Sequence, residues 1–252
     1  MAPPSESLKV FAGNSHLALA TEICEHIGIP LGHATTKRFS NENLKIRIED
    51  NVREQDVFVV QTACPPLSEH IVELLIMLDA LKHASAKRVT AVIPYFPYAR
   101  SDKKDEPRIS ISARLMADLL ATSGADRVLT MDLHSPQIQG FFSVPADQLT
   151  AVPALCERLK KDDLSNTVIV AADVGEVKDA GRFAKRLELP LALIDKRRAG
   201  DDENARPAHV IGDIAGKDCL LVDDEIRWRC RACHPSQFRR RPADNLCRQY
   251  HR

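Results

Sequence analysis

Short apolar runs recur along the chain, separated by longer segments in which apolar residues return every three or four positions. The runs predict strands at Leu8–Ala12, Asp56–Gln61, Arg88–Pro94 and Arg127–Met131, then at Thr167–Ala171, Leu191–Ile194, His209–Gly212 and Cys219–Val222. Most are continuously apolar rather than alternating, as in strands covered on both faces. Between them, Ser68–His83 sets Ile71, Leu74, Leu75, Leu78 and Leu81 on one helical face, with Ser68 as its expected N-cap. Ile109–Ser123 and Glu176–Leu187 also read as helices. Strands alternating with helices predict an α/β fold built on a largely parallel sheet, with a domain boundary near Gln148–Pro153.

This pattern stops after Ile226. Arg227–Arg252 holds eight arginines, three cysteines and two histidines, and lacks any hydrophobic period. Within it, Cys230, Cys233, Cys247 and His251 could supply four zinc ligands, but no hydrophobic pattern frames a zinc module, so incidental cysteine content is the better reading. Cys24, Cys64, Cys156 and Cys219 lie scattered in apolar segments, as reduced core thiols do.

Composition narrows the function classes. The 252 residues, 44% of them hydrophobic, suffice for two domains. Thirty-five basic residues balance 35 acidic ones, which disfavours a nucleic-acid binder. No apolar run approaches the roughly 20 residues of a membrane helix, so a cytoplasmic protein is expected.

The polar chemistry collects where strands end, the edge that faces the ligand crevice in open α/β sheets. Arg100, Lys103, Lys104 and Arg108 alternate with Asp102 and Asp105 after one strand, as a phosphate clamp or as a solvated loop. Asp132-Leu-His134 closes another, and His134 could meet a metal or phosphate or simply be hydrogen-bonded there. Asp173, in Ala171-Ala-Asp-Val-Gly175, suits a cation, a sugar hydroxyl or a helix cap. Asp195-Lys-Arg-Arg198 offers cations that could meet charge developing in phosphoryl transfer. Asp223 and Asp224 place two carboxylates after a buried strand, able to hold ribose hydroxyls or a hydrated metal.

Several stretches, in order, resemble ribose-phosphate pyrophosphokinases, the phosphoribosyl pyrophosphate synthetases. They are Val10-Phe-Ala-Gly-Asn-Ser15, Asp56–Gln61, Glu73–Ala80, Val92-Ile-Pro-Tyr-Phe-Pro-Tyr-Ala-Arg100, Asp132–Phe142, Ile194-Asp-Lys-Arg-Arg198 and Val222-Asp-Asp224. The resemblance implies two phosphoribosyltransferase-like, doubly wound domains, at 1–150 and 151–226, the second incomplete, followed by an aberrant tail at 227–252. It implies transfer of the diphosphoryl group of ATP to ribose 5-phosphate, a Mg²⁺ requirement and a dimer-based hexamer. By position, Arg100, Asp105 and Arg108 would contact ATP, and Phe39, Asn41 and Asn43 would hold adenine in a neighbouring subunit's site. His134 and Asp173 would serve the metal–phosphate site, His134 also acting in catalysis. Lys196 and Arg198 would be catalytic cations, and Asp173, Asp223 and Asp224 would bind the sugar substrate.

Some positions depart from the family pattern. Asn43 stands where many members carry Glu, Ser101 where Gln is usual, and Glu176 where Gly is common. Pro136 enters a stretch the family uses for regulation. After Asp224 the chain reads Glu225-Ile-Arg-Trp-Arg-Cys230, where the family has a Thr- and Gly-rich loop around the 5-phosphate. These residues also leave room for an alternative, a non-catalytic regulatory partner of such synthetases.

Overall fold

In the computed structural model, which describes residues 7–197 and 206–224, the chain forms two α/β units, Met1–Thr150 and Ala151–Arg252. The first contains β1 (Leu8–Ala12), α1 (Leu17–Ile27), β2 (Ala34–Arg38), β3 (Leu44–Ile48), β4 (Asp56–Val60), α2 (Leu67–His83), β5 (Arg88–Ile93), α3 (Ser112–Thr122), β6 (Arg127–Met131) and β7 (Ala146–Leu149). A 3-10 turn, Pro136–Phe141, lies between the last two strands.

Five strands pair in parallel in the order β1-β4-β5-β6-β7. Successive side chains of a strand point to opposite faces, and both faces are covered. On one, Val10, Val60 and Val92 pack with Ala20 and Cys24 of α1. On the other, Phe11, Val59, Ala91 and Ile93 meet Leu74, Leu78 and Leu81 of α2 and Ala113 of α3. This arrangement explains the continuous apolar runs. Helix α1 begins where His16 Nδ1 accepts the Leu19 N–H at 3.1 Å, and ends at Gly28, whose φ of 81° favours a residue without Cβ.

The expected strands are all found, to within a few residues. The expected N-cap of α2 is not: the helix begins at Leu67 after Pro66, and no side chain caps it. Ser68 therefore sits inside the first turn. The buried stripe is His70, Glu73, Leu74, Met77, Leu78 and Leu81, a rotation of the expected face toward polar residues. Helix α3 starts at Ser112 rather than Ile109, because the Ser101 hydroxyl donates to the Ser110 carbonyl at 3.2 Å and holds that segment out of the helix.

The antiparallel hairpin β2–β3 stands apart from the main sheet and packs over α2. Two polar pins on β2 fasten it. Thr36 Oγ1 donates to Glu73 at 2.9 Å, and Arg38 pairs with Glu69, which lowers the Glu69 carboxyl pKa from its ordinary value.

The second unit contains α4 (Val152–Leu159), β8 (Thr167–Ala171), α5 (Val177–Leu187), β9 (Leu191–Arg197), β10 (Arg206–Ile211) and β11 (Asp218–Val222). Its sheet order is β10-β9-β8-β11, with β8 parallel to both neighbours and β10 antiparallel to β9. Central β8 is buried throughout. Ile169 and Ala171 face Cys156, Ala180 and Phe183, whereas Val168 and Val170 join Ala192 and Ile194 on the other side.

Candidate active site

In the first unit, parallel pairing carries the loops after β1, β4, β5 and β6 to one end of the sheet. Hydrogen bonds lace them together. Ser15 Oγ accepts the Thr62 N–H at 2.9 Å, Thr62 Oγ1 accepts the Tyr95 N–H at 3.2 Å, and the Met131 N–H reaches the Pro94 carbonyl at 3.2 Å. Below this layer, Glu73 is almost wholly buried, yet four donors meet its carboxylate. They are the Asn14 N–H at 3.0 Å, Asn14 Nδ2 at 2.6 Å, Thr36 Oγ1 at 2.9 Å and Gln61 Nε2 at 2.7 Å. Burying a carboxylate is costly unless its lone pairs are filled, and here they are.

Arg100 follows β5 at the sheet's crevice end and begins an exposed loop that includes Asp105 and Arg108. Buried Phe96 and Ala99 root its start, and Phe96 meets Phe142 edge-to-face with centroids 5.4 Å apart. Ser101 closes the loop's neck: its hydroxyl donates to the Ser110 carbonyl and accepts the Ser112 N–H, each at 3.2 Å. Arg108 has a φ of 65°, a left-handed turn within the loop. His134 leaves the neighbouring strand β6 at the same end. Leu133 and Ile138 point into the core, so Asp132 and His134 on either side of Leu133 face outward. Asp132 has a φ of 40°, an uncommon backbone for a residue with Cβ, held where its N–H meets the Leu149 carbonyl at 3.0 Å.

Phe39, Asn41 and Asn43 form the tip of the β2–β3 hairpin. With Leu44, Ile46 and Ile76 they line an open hollow of about 740 Å³. The Lys37 ammonium lies 5.8 Å from the Phe39 ring centroid.

In the second unit, neighbouring strands β8 and β11 end together, and the Ala172 N–H reaches the Val222 carbonyl at 3.3 Å. Asp173 thus comes to the same edge as Asp223 and Asp224. Asp173 Oδ1 accepts the N–H groups of Gly175 at 2.8 Å and Glu176 at 3.3 Å, ordering the turn one step ahead of α5 rather than capping its first residue. Glu176, Asp223 and Asp224 bring carboxylate oxygens within 4.8 Å of one another. Burial first, and then the charges of Asp224, Asp223 and Asp173, push the Glu176 pKa up to about 7. This all-oxygen set has the donor chemistry that Mg²⁺ selects, and a nitrogen ligand such as His134 suits it less well. Glu176 is a part of the cluster that sequence reasoning did not place there; its spacing of three residues from Asp173 was the available signal.

Strand β9 also ends at this edge, with Lys196 near its close. Arg198 lies outside the described residues, as do Cys230, Cys233, Cys247 and His251 of the tail. Cys24, Cys64, Cys156 and Cys219 are free thiols, and burial raises the pKa of each, which makes them poor nucleophiles. Among the described residues no helix is long and apolar enough to cross a membrane.

Comparison with known proteins places this geometry. Residues 8–124 match the N-terminal domain of ribose phosphate pyrophosphokinase. The ribose-phosphate pyrophosphokinase of Deinococcus radiodurans is 55% identical over 221 residues, 87% of this chain and 69% of that protein. That of Agrobacterium fabrum is 51% identical over 231 residues, 91% of this chain and 74% of its own length. The crystal structure of phosphoribosylpyrophosphate synthetase from Mycobacterium smegmatis matches with a TM-score of 0.79 at 42% identity, covering 86% of this chain and 71% of that one. With half its residues shared across more than two thirds of a relative's length, the chain belongs to the ribose-phosphate pyrophosphokinase family.

Proposed function

We propose that this chain is a ribose-phosphate diphosphokinase that moves the β,γ-diphosphoryl group of ATP to the 1-hydroxyl of ribose 5-phosphate. The observation that carries the reading is the convergence of Asp173, Asp223 and Asp224 on one sheet edge in a chain of this family. The ribose 1-oxygen bonds to the β-phosphorus, the bond from that phosphorus to the α,β-bridging oxygen breaks, AMP leaves with the electron pair, and the hydroxyl proton passes to solvent.

Arg100 and Arg108 clamp phosphate oxygens, since a guanidinium matches them in charge and geometry. Asp105 orders the same loop around ATP. Phe39, Asn41 and Asn43 receive adenine, the ring stacking on Phe39 and the amides reading its edge, within an oligomer whose subunits share sites. Asp223 and Asp224 accept hydrogen bonds from the ribose hydroxyls and so orient the 1-oxygen. Lys196 and Arg198 neutralise charge that builds on the transferring group. His134 and Asp173 serve the metal–phosphate site, with Mg²⁺ as the divalent cation; when bound it screens the phosphate charges.

Arg100→Ala tests the nucleotide half. Losing a charge-assisted phosphate contact should cost roughly 1.5–3 kcal/mol of Mg-ATP affinity, measurable by calorimetry. Equal affinity in both proteins removes Arg100 from the site. AMP release that depends on ribose 5-phosphate tests the sugar half.

A further inference from the structure

Thr36 and Arg38 are two residues apart on β2 and therefore share a face, about 6.7 Å from one another along the strand. Glu69 and Glu73 are four apart on α2 and share a face, about 6 Å apart along the helix. The two spacings match, so one strand face and one helix face engage through both pairs, Thr36–Glu73 and Arg38–Glu69. The helix end of this clamp is itself fixed, because the Glu73 carboxylate also accepts from Asn14 after β1 and from Gln61 after β4. Phe39 follows Arg38 directly, so the pins end one residue short of the hairpin tip.

The geometry points to Thr36, Arg38, Glu69 and Glu73 as positioning residues for the nucleotide site: a register-matched clamp that sets where Phe39, Asn41 and Asn43 are held. None of the four has to touch ATP. An unclamped hairpin spends less of its time in the binding-competent place, and apparent affinity falls by that fraction. The inference rests on the reading that the tip receives adenine.

Thr36→Val isolates the clamp. Valine keeps the β-branched shape and the strand propensity, and Glu73 keeps its Asn14 and Gln61 donors. We expect Mg-ATP to bind the full chain about five- to tenfold more weakly, with amide hydrogen exchange faster across residues 34–48. Thr36→Ser, which restores the hydroxyl, should return both readouts close to wild type. Arg38→Ala should weaken ATP in the same direction. Faster exchange with unchanged ATP affinity, or no change in exchange, overturns the proposal, provided that Arg100→Ala weakens ATP. If Arg100→Ala and Thr36→Val both leave ATP affinity unchanged, the nucleotide-site reading has failed and this inference fails with it.

Discussion

Glu176 shows how much one side chain can alter a site. Its carboxyl keeps a proton up to about pH 7 because it is partly buried and faces Asp224, Asp223 and Asp173. In the unfolded chain it titrates near 4.5. The folded pKa is the higher one, so its contribution to stability is complete below about pH 4.5 and is lost as the pH climbs through about 7. Glu176→Gln, neutral at every pH, should therefore stabilise the protein by about 1–2 kcal/mol at pH 8 without divalent cation, a figure already reduced for solvent screening. At pH 4 it should change little. Thermal melts at both pH values check this, and an equal gain at each would rule out titration as the cause. Residue chemistry of this kind was only partly legible beforehand. Asp223 and Asp224 stand out in the sequence as a pair after an apolar run. Glu73 does not, because it hides in a helical stripe of leucines, and only the fold brings Asn14, Thr36 and Gln61 to it.

Elements with a strong apolar signal were readable, and weak ones were not. β4, β5 and β8 bury both faces and announce themselves as runs of Val, Ile and Ala. β2 and β3 bury only one face, and their polar residues Thr35, Lys37, Lys45 and Arg47 break the pattern. β7, Ala-Asp-Gln-Leu, is a four-residue edge strand without an apolar run. Close contacts between elements were also invisible. Gly32 sits against the ring of fully buried Phe11, and a Cβ there would fall 2.6 Å from Phe11 Cε1. Gly32→Ala must push that ring into the packed face of α2, and should destabilise the first unit by about 1–3 kcal/mol. Gly140→Ala is the control: a Cβ there meets nothing within 4 Å, so its effect should stay within about 0.5 kcal/mol. Urea titration of the two variants makes the comparison.

For the whole molecule, the sheet content and its largely parallel pairing followed from alternating strands and helices, whereas the antiparallel pairs β2–β3 and β9–β10 did not, and the division into two units falls between β7 and α4. The charge balance also acts at this scale. With 35 basic and 35 acidic residues, the protein lacks the excess of cations that would release counterions from a polyanion. Fluorescence anisotropy at about 50 mM salt should detect no salt-sensitive affinity for duplex DNA, although we propose that Arg100 and Arg108 clamp the phosphates of a single nucleotide. Tight binding that collapses with added salt would point to a basic surface outside the proposed site. The two pins of the β2–β3 hairpin bear on length as well as affinity. Both lie on β2, ahead of the tip, so residues can be gained or lost between Phe39 and Asn43 while Thr36 and Arg38 stay in step with Glu69 and Glu73. A single residue gained between Thr36 and Arg38 would turn one pin to the opposite face of the strand. The clamp itself would therefore tolerate a change of length at the tip, whereas the segment from Thr36 to Arg38 should accept substitutions only.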